Sequence, residues 1–158
     1  MDQQRLRELL DYDAETGVFT WRVSQGRGYA GAVAGTVRQD GYIAIKLDGR
    51  LYKAHRLAWL HEHGEFPDDE IDHINGDRSD NRPGNLRVVT RLINAQNRRR
   101  SQSNNRAGIL GVSRHRNRWQ AQIEVAGKNK HLGCFNTQEA AHAAYVAAKR
   151  QTHEGCTL

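Results

Sequence analysis

The hydrophobic and polar positions change their period several times along the chain, and each change predicts an element. The opening stretch Gln4 to Leu10 predicts a leading helix, and Gly17-Val18-Phe19-Thr20-Trp21-Arg22-Val23 then alternates as a strand does. The pairs Asp40-Gly41 and Asp48-Gly49 bracket Tyr42-Ile43-Ala44-Ile45-Lys46-Leu47, which predicts consecutive tight hairpins and hence a β-meander, because such turns need positive φ. Ala54 to His63 combines helix formers with apolar spacing, and Gly64 supplies a stop. Further on, Glu70-Ile71-Asp72-His73 reads as a strand, Asn75 to Gly84 as a polar turn, Leu86-Arg87-Val88-Val89 as a second strand, and a helix starts at Thr90, a suitable N-cap.

The segment Arg98-Arg99-Arg100-Ser101-Gln102-Ser103-Asn104-Asn105-Arg106 has no apolar face to bury, so it predicts a basic tether between two domains. From Gly108 onward come three strand candidates, Gly111 to Arg114, Trp119 to Val125 and Lys130 to Phe135, followed by an Ala-rich helix that Thr137 would cap. The expected fold class is α+β. It comprises a first domain over 1–97 (a β-rich part, 1–69, leading into a strand-strand-helix motif, 70–97), a linker over 98–107, and a second domain over 108–158 in which a three-stranded antiparallel sheet packs on one helix.

Composition narrows the partner. A chain of 158 residues holds one ordinary domain or two small ones. Its 24 Lys and Arg against 18 Asp and Glu give a net charge of +6, which suits a polyanion, nucleic acid ahead of an anionic membrane. No apolar run is long enough to cross a bilayer and the start MDQQRLRELL lacks the apolar core of a signal peptide, so a soluble, cytoplasmic protein of a bacterial or phage-infected cell is expected. Cys134 and Cys156 make neither a zinc knuckle nor a disulfide framework and read as ordinary thiols. His61 and His63, at a helix end, read as solvated.

The candidate chemistry lies in the middle. An Asp-His pair alone is usually a turn feature; Asp72-His73-Ile74-Asn75-Gly76-Asp77, Asp80-Asn81-Arg82-Pro83-Gly84-Asn85-Leu86 and Arg91-Leu92-Ile93-Asn94-Ala95-Gln96-Asn97, taken in order, resemble the HNH endonucleases of the phage and intron homing type. That resemblance implies a ββα-metal fold in which Asp72 and Asn94 hold one divalent metal, His73 is the general base and Asn85 orients and polarises it. Asn94 stands where the name-giving third His usually stands. The roles are chemically coherent: phosphodiester hydrolysis needs a deprotonated water and a cation against the phosphate charge, and an imidazole is largely neutral at cellular pH. A carboxylate and a carboxamide are hard donors, favouring Mg²⁺ or Mn²⁺, one ion per site. Adjacent strand residues point to opposite faces, so the strand is expected to end or twist at Asp72-His73. Asn94 and Asn97 share a helix face, and either could reach the metal. His55-Arg56 matches a His-Arg pair preceding the motif in this family, although its helix could simply bury Leu57 and Leu60.

Gly111-Val112-Ser113-Arg114, Trp119-Gln120-Ala121-Gln122-Ile123 and Leu132-Gly133-Cys134-Phe135 through Ala144-Tyr145 resemble the AP2 DNA-binding domain over about forty residues. The resemblance implies a sheet laid in the major groove of double-stranded DNA with a helix behind it. Alternation puts Trp119, Ala121 and Ile123 on one face and Arg118, Gln120 and Gln122 on the other, with Arg114, Arg116 and His131 expected to extend the polar, DNA-facing side. Gln122 and His131 replace an acidic residue and a Trp of the plant-type pattern, so target preference does not transfer. Arg98, Arg99 and Arg100 are expected to follow the DNA backbone. The expected activity is metal-dependent DNA cleavage, against the alternative of a non-catalytic DNA-binding regulator with a relic HNH fold. A monomer would nick one strand, and a homodimer could break both.

Overall fold

The computed structural model describes residues 1–24, 26, 28–97, 105, 107–153 and 156. Helix α1 spans Gln3–Leu9 and starts where the Asp2 carboxylate accepts the Arg5 amide at 2.7 Å, an N-cap. It ends one residue earlier than expected, because Leu10 opens strand β1 (Leu10–Asp13), which pairs antiparallel with β2 (Val18–Trp21). Leu6, Leu9 and Leu10 are all buried, so the period changes from helix to strand without leaving the core.

A separate three-stranded sheet follows, β3 (Thr36–Val37), β4 (Ile43–Leu47) and β5 (Arg50–Lys53), in that order. The β4–β5 turn is the expected tight Asp-Gly pair, with Asp48 at φ 47° and Gly49 at φ 81°. The β3–β4 turn is not. Arg38 N–H bonds the Tyr42 carbonyl at 2.8 Å and Gly41 N–H the Arg38 carbonyl at 2.9 Å, which closes a three-residue loop with Gly41 alone at φ 86°. The predicted meander is nonetheless present as β3-β4-β5, and β1-β2 forms a separate sheet.

Helix α2 (Ala54–His63) buries Ala54, His55, Leu57, Ala58 and Leu60 and stops at Gly64, left-handed at φ 85° with its N–H on the Leu60 carbonyl. Strand β6 (Glu70–His73) pairs antiparallel with β7 (Leu86–Val89) in the register Asp72↔Arg87 and His73↔Leu86, with a 3-10 turn over Pro83–Asn85 leading into β7. Helix α3 (Arg91–Gln96) has no buried residue.

The chain forms two compact units, Met1–Thr90 and Arg91–Leu158. The expected boundary lies in 98–107; the division falls ahead of α3, between Thr90 and Arg91. The core of the first gathers Leu6, Phe19, Ile45, Leu57, Leu60, Ile71 and Leu86 from α1, α2 and all three of its sheets. Each fully buried leucine or isoleucine there is worth about 1.5–3 kcal/mol. In the second unit, β8 (Val112–His115), β9 (Arg118–Val125) and β10 (Lys128–Phe135) form an antiparallel sheet in the order β10-β9-β8, and α4 (Gln138–Thr152) packs on it. Val112, Ala121 and Ala141 centre its small core. Thr137 caps α4 by accepting the Ala140 amide at 3.2 Å, as expected. Among the described residues no helix is long and apolar enough to cross a membrane.

Candidate active site

Strand β6 delivers the central pair. Its alternation is retained to the last residue: Ile71 and His73 are buried while Glu70 is exposed and Asp72 partly exposed. The strand ends at His73, where Gly76 N–H bonds the His73 carbonyl and Ile74 N–H the Asn85 carbonyl, each at 2.9 Å. Asp72 and His73 therefore face opposite sides of the ladder. Asp72 meets its cross-strand partner Arg87, whose Nη2 and Nε donate to one carboxylate oxygen at 2.9 and 3.2 Å. The Asp72 charge still acts on the His73 ring through space.

His73 is 3 % exposed and its surroundings fix its chemistry. Its Nε2 lies 3.3 Å from Oδ1 of Asn81, while the amide nitrogen of Asn81 donates to the Ser79 carbonyl at 3.1 Å. The oxygen of Asn81 thus faces the ring. An amide oxygen only accepts, so Nε2 carries the proton and the lone pair sits on Nδ1. Burial lowers the His73 pKa below its ordinary value, opposed by the Asn81 hydrogen bond and the charges of Asp72, Asp77 and Asp80. Asn81 is itself 1 % exposed, and its carbonyl receives the Tyr12 hydroxyl at 2.7 Å, which ties the loop to the β1–β2 hairpin.

Asn85, expected on the histidine, does something else. Its Oδ1 accepts the Asn75 amide at 2.9 Å and its Nδ2 donates to the Asp80 carbonyl at 2.8 Å, so it clips the two ends of the loop together. The amide that touches His73 is Asn81. Asn81 lies within the motif, but one asparagine among several in a polar loop gives no sign in the sequence of which one turns inward. The loop is otherwise knitted by its own side chains. Asp77 accepts the Ser79 amide and hydroxyl, and Arg82 forks onto Asp80, holding that carboxyl down at about 2.

Two aromatic rings pack against the histidine. His55, from the first turn of α2, stands edge-on to His73 with centroids 5.1 Å apart, and Tyr42 lies 5.1 Å from His55 and 5.8 Å from His73. His55 is buried, its Nδ1 has no hydrogen-bond partner among the described residues, and burial first, then the His73, Lys53 and Arg56 charges, push its pKa down to about 3. The structure places His55 beside the expected base. Of its neighbours, Leu57 and Leu60 are core, and His61 is half-buried against Tyr12.

Asn94 and Asn97 belong to the second unit, where Asn97 is buried and Asn94 partly exposed. Among the described residues no group of three or more His, Cys, Asp or Glu could hold a metal ion. The smaller set expected here, one carboxylate and one carboxamide, is chemically fit for a hard divalent cation, and Asp72 is the penultimate residue of β6.

On the second unit, cross-strand register sorts the expected DNA-facing residues. Arg118, Gln120 and Gln122 alternate with Trp119, Ala121 and Ile123 as expected, and His131 pairs with Gln122 on their side. Gln120 Nε2 and His131 Nδ1 are 3.0 Å apart. Arg114 is a correction. It is the cross-strand partner of Trp119 and lies over that ring at 4.8 Å, so it is on the helix-facing side. Ser113 and His115, paired with Gln120 and Arg118, take the outer positions instead. Arg116 is exposed in the β8–β9 turn at φ 53°. Arg98, Arg99 and Arg100 lie outside the described residues.

Residues 52–96 match the HNH endonuclease family model. The similarity is to an endonuclease family. The match runs from β5 through α2, β6 and β7 to α3, so it includes His55, Asp72, His73, Asn85 and Asn94. A solved structure described as "DNA binding and cleavage by the HNH homing endonuclease I-HmuI" is similar at 28% identity over 56% of this chain and 51% of that one, with a TM-score of 0.45. The chain spans about half the length of that relative. No curated protein sequence matches.

Proposed function

We propose that this chain is a metal-dependent DNA endonuclease in which His73 is the general base. The observation that carries the reading is the His73–Asn81 contact inside the HNH segment: a buried strand-end histidine with Nε2 committed to an acceptor, which leaves Nδ1 to take a proton from water. Burial keeps the ring neutral at cellular pH, the form a base needs. Asp72 would be the carboxylate that holds one Mg²⁺ or Mn²⁺, which when bound would neutralise charge growing on the phosphate and the leaving oxygen. Arg87 fixes the Asp72 carboxylate from the neighbouring strand. Asn85, by holding the ends of the 75–85 loop, keeps Asn81 against the ring and so orients His73 at one remove.

The partner in this reading is double-stranded DNA, held by the outer sheet face of the second unit through Arg118, Gln120, Gln122 and His131, as expected of an AP2-like module. Arg116 at the sheet's turn and Arg98 to Arg100 would add phosphate contacts. Arg114, on the helix side, would serve Trp119 more than DNA.

One observation favours the competing reading of a non-catalytic DNA-binding regulator: His73 is 3 % exposed, and a base must meet its water. Incubating the full chain with supercoiled plasmid separates the two. Nicked or linear product that requires Mg²⁺ or Mn²⁺ and vanishes with a chelator is expected. Plasmid that is bound but never cut, with either ion, would favour the regulator.

A further inference from the structure

We propose that Lys53 and Arg78, gathered on the ring of Tyr42, form a clamp for a DNA backbone phosphate beside His73. This rests on the nuclease reading and adds to it two cationic contacts outside the site residues assigned above. Tyr42 immediately precedes β4, Lys53 is the last residue of β5, and Arg78 comes from the loop between β6 and β7. Three separate pieces of chain thus meet at one ring. Lys53 Nζ lies 4.0 Å from the ring centroid and Arg78 Cζ 4.9 Å from it, both within cation–π range. The same ring is the one that packs 5.8 Å from His73.

Charge bears on what this arrangement can hold. Arg5, Arg22, Arg82 and Arg87 are each paired with a carboxylate. Among the described residues neither Lys53 nor Arg78 has such a partner, and both are exposed. Two like charges on one ring repel each other, and exposed cation–π contacts return only about 0.5–1 kcal/mol each. Such a pair becomes favourable when an anion sits between the charges or along them, and a phosphodiester is the anion a nuclease brings to its base. Arg78 is also aimed: its Nη1 donates to the Asp40 carbonyl at 2.7 Å, which fixes the guanidinium while leaving other donors for a phosphate oxygen. The half-buried Tyr42 sets the spacing of the two cations.

The test is the salt dependence of DNA binding by the full chain, measured with a chelator present so that cleavage does not intervene. Lys53→Met and Arg78→Met should each flatten the slope of log affinity against log salt by about 0.9, the value for one phosphate contact. Tyr42→Phe should behave as wild type. Tyr42→Leu, which keeps every charge, should flatten the slope as the charge variants do, and thermal unfolding of each variant checks that it is folded. Unchanged slopes in both charge variants, or a folded Tyr42→Leu protein with a wild-type slope, would overturn the clamp while leaving the nuclease reading intact. Wild-type protein that shows no salt-dependent DNA binding would bring down both readings together.

Discussion

His55 is 5 % exposed, with one ring nitrogen lacking any hydrogen-bond partner among the described residues, so protonating it in place would bury a charge beside a second histidine. Its folded pKa is pushed down to about 3, whereas in the unfolded chain it titrates near 6.5. Between those values the unfolded state binds the extra proton. Stability is therefore fully present above about pH 6.5 and is lost as pH falls toward about 3, by at most about 1.4 kcal/mol per pH unit. Burial moves His73 in the same direction. Denaturant unfolding at pH 7, 5 and 4 should show this loss, and His55→Phe should flatten it; equal slopes in the two proteins would contradict the assignment. Individual residues were legible in unequal degree. Asp72-His73 and its neighbours could be read because the order of residues carries the motif, and His55 because a His-Arg pair precedes it. The exchange of roles between Asn81 and Asn85 was hidden, since which of two asparagines four apart turns inward depends on the loop's own hydrogen bonds.

At the scale of elements, turn chemistry decided what periodicity could not. Asp48-Gly49 formed the tight turn its composition implies, while Asp40-Gly41 closed a three-residue loop, because only Gly41 there adopts positive φ. Strand alternation was readable on β9, yet Arg114 on β8 fell to the opposite face from the one expected. Its side is set by the register that the Arg116-Asn117 turn imposes, and that register puts it across from Trp119. The contact of α4 with the sheet depends on a position without a side chain. Gly111 sits at φ 74°, and a Cβ there would run into the Tyr145 ring, itself 6 % exposed. Gly111→Ala should therefore destabilise the second unit by about 2 kcal/mol or more, combining backbone strain with overpacking. Thermal unfolding of the full chain checks this, and a wild-type melting profile would mean that the helix and sheet are not packed this way.

At the scale of the molecule, two small units divide the work proposed here: a first unit that carries the histidine and a second that presents a polar sheet face. The net charge of +6 suits both to one polyanion. The division ahead of α3 assigns the two expected metal-binding residues, Asp72 and Asn94, to different units, which periodicity alone does not reveal because α3 follows β7 with Thr90 alone between them. The central claim is that His73 takes the proton from the attacking water, and His73→Ala tests it most directly. Cleavage of plasmid by the full chain in Mg²⁺ should slow by about 10²- to 10⁴-fold, the usual contribution of a general base, while DNA affinity stays at the wild-type value. Cleavage at the full wild-type rate by a folded His73→Ala protein would contradict the account.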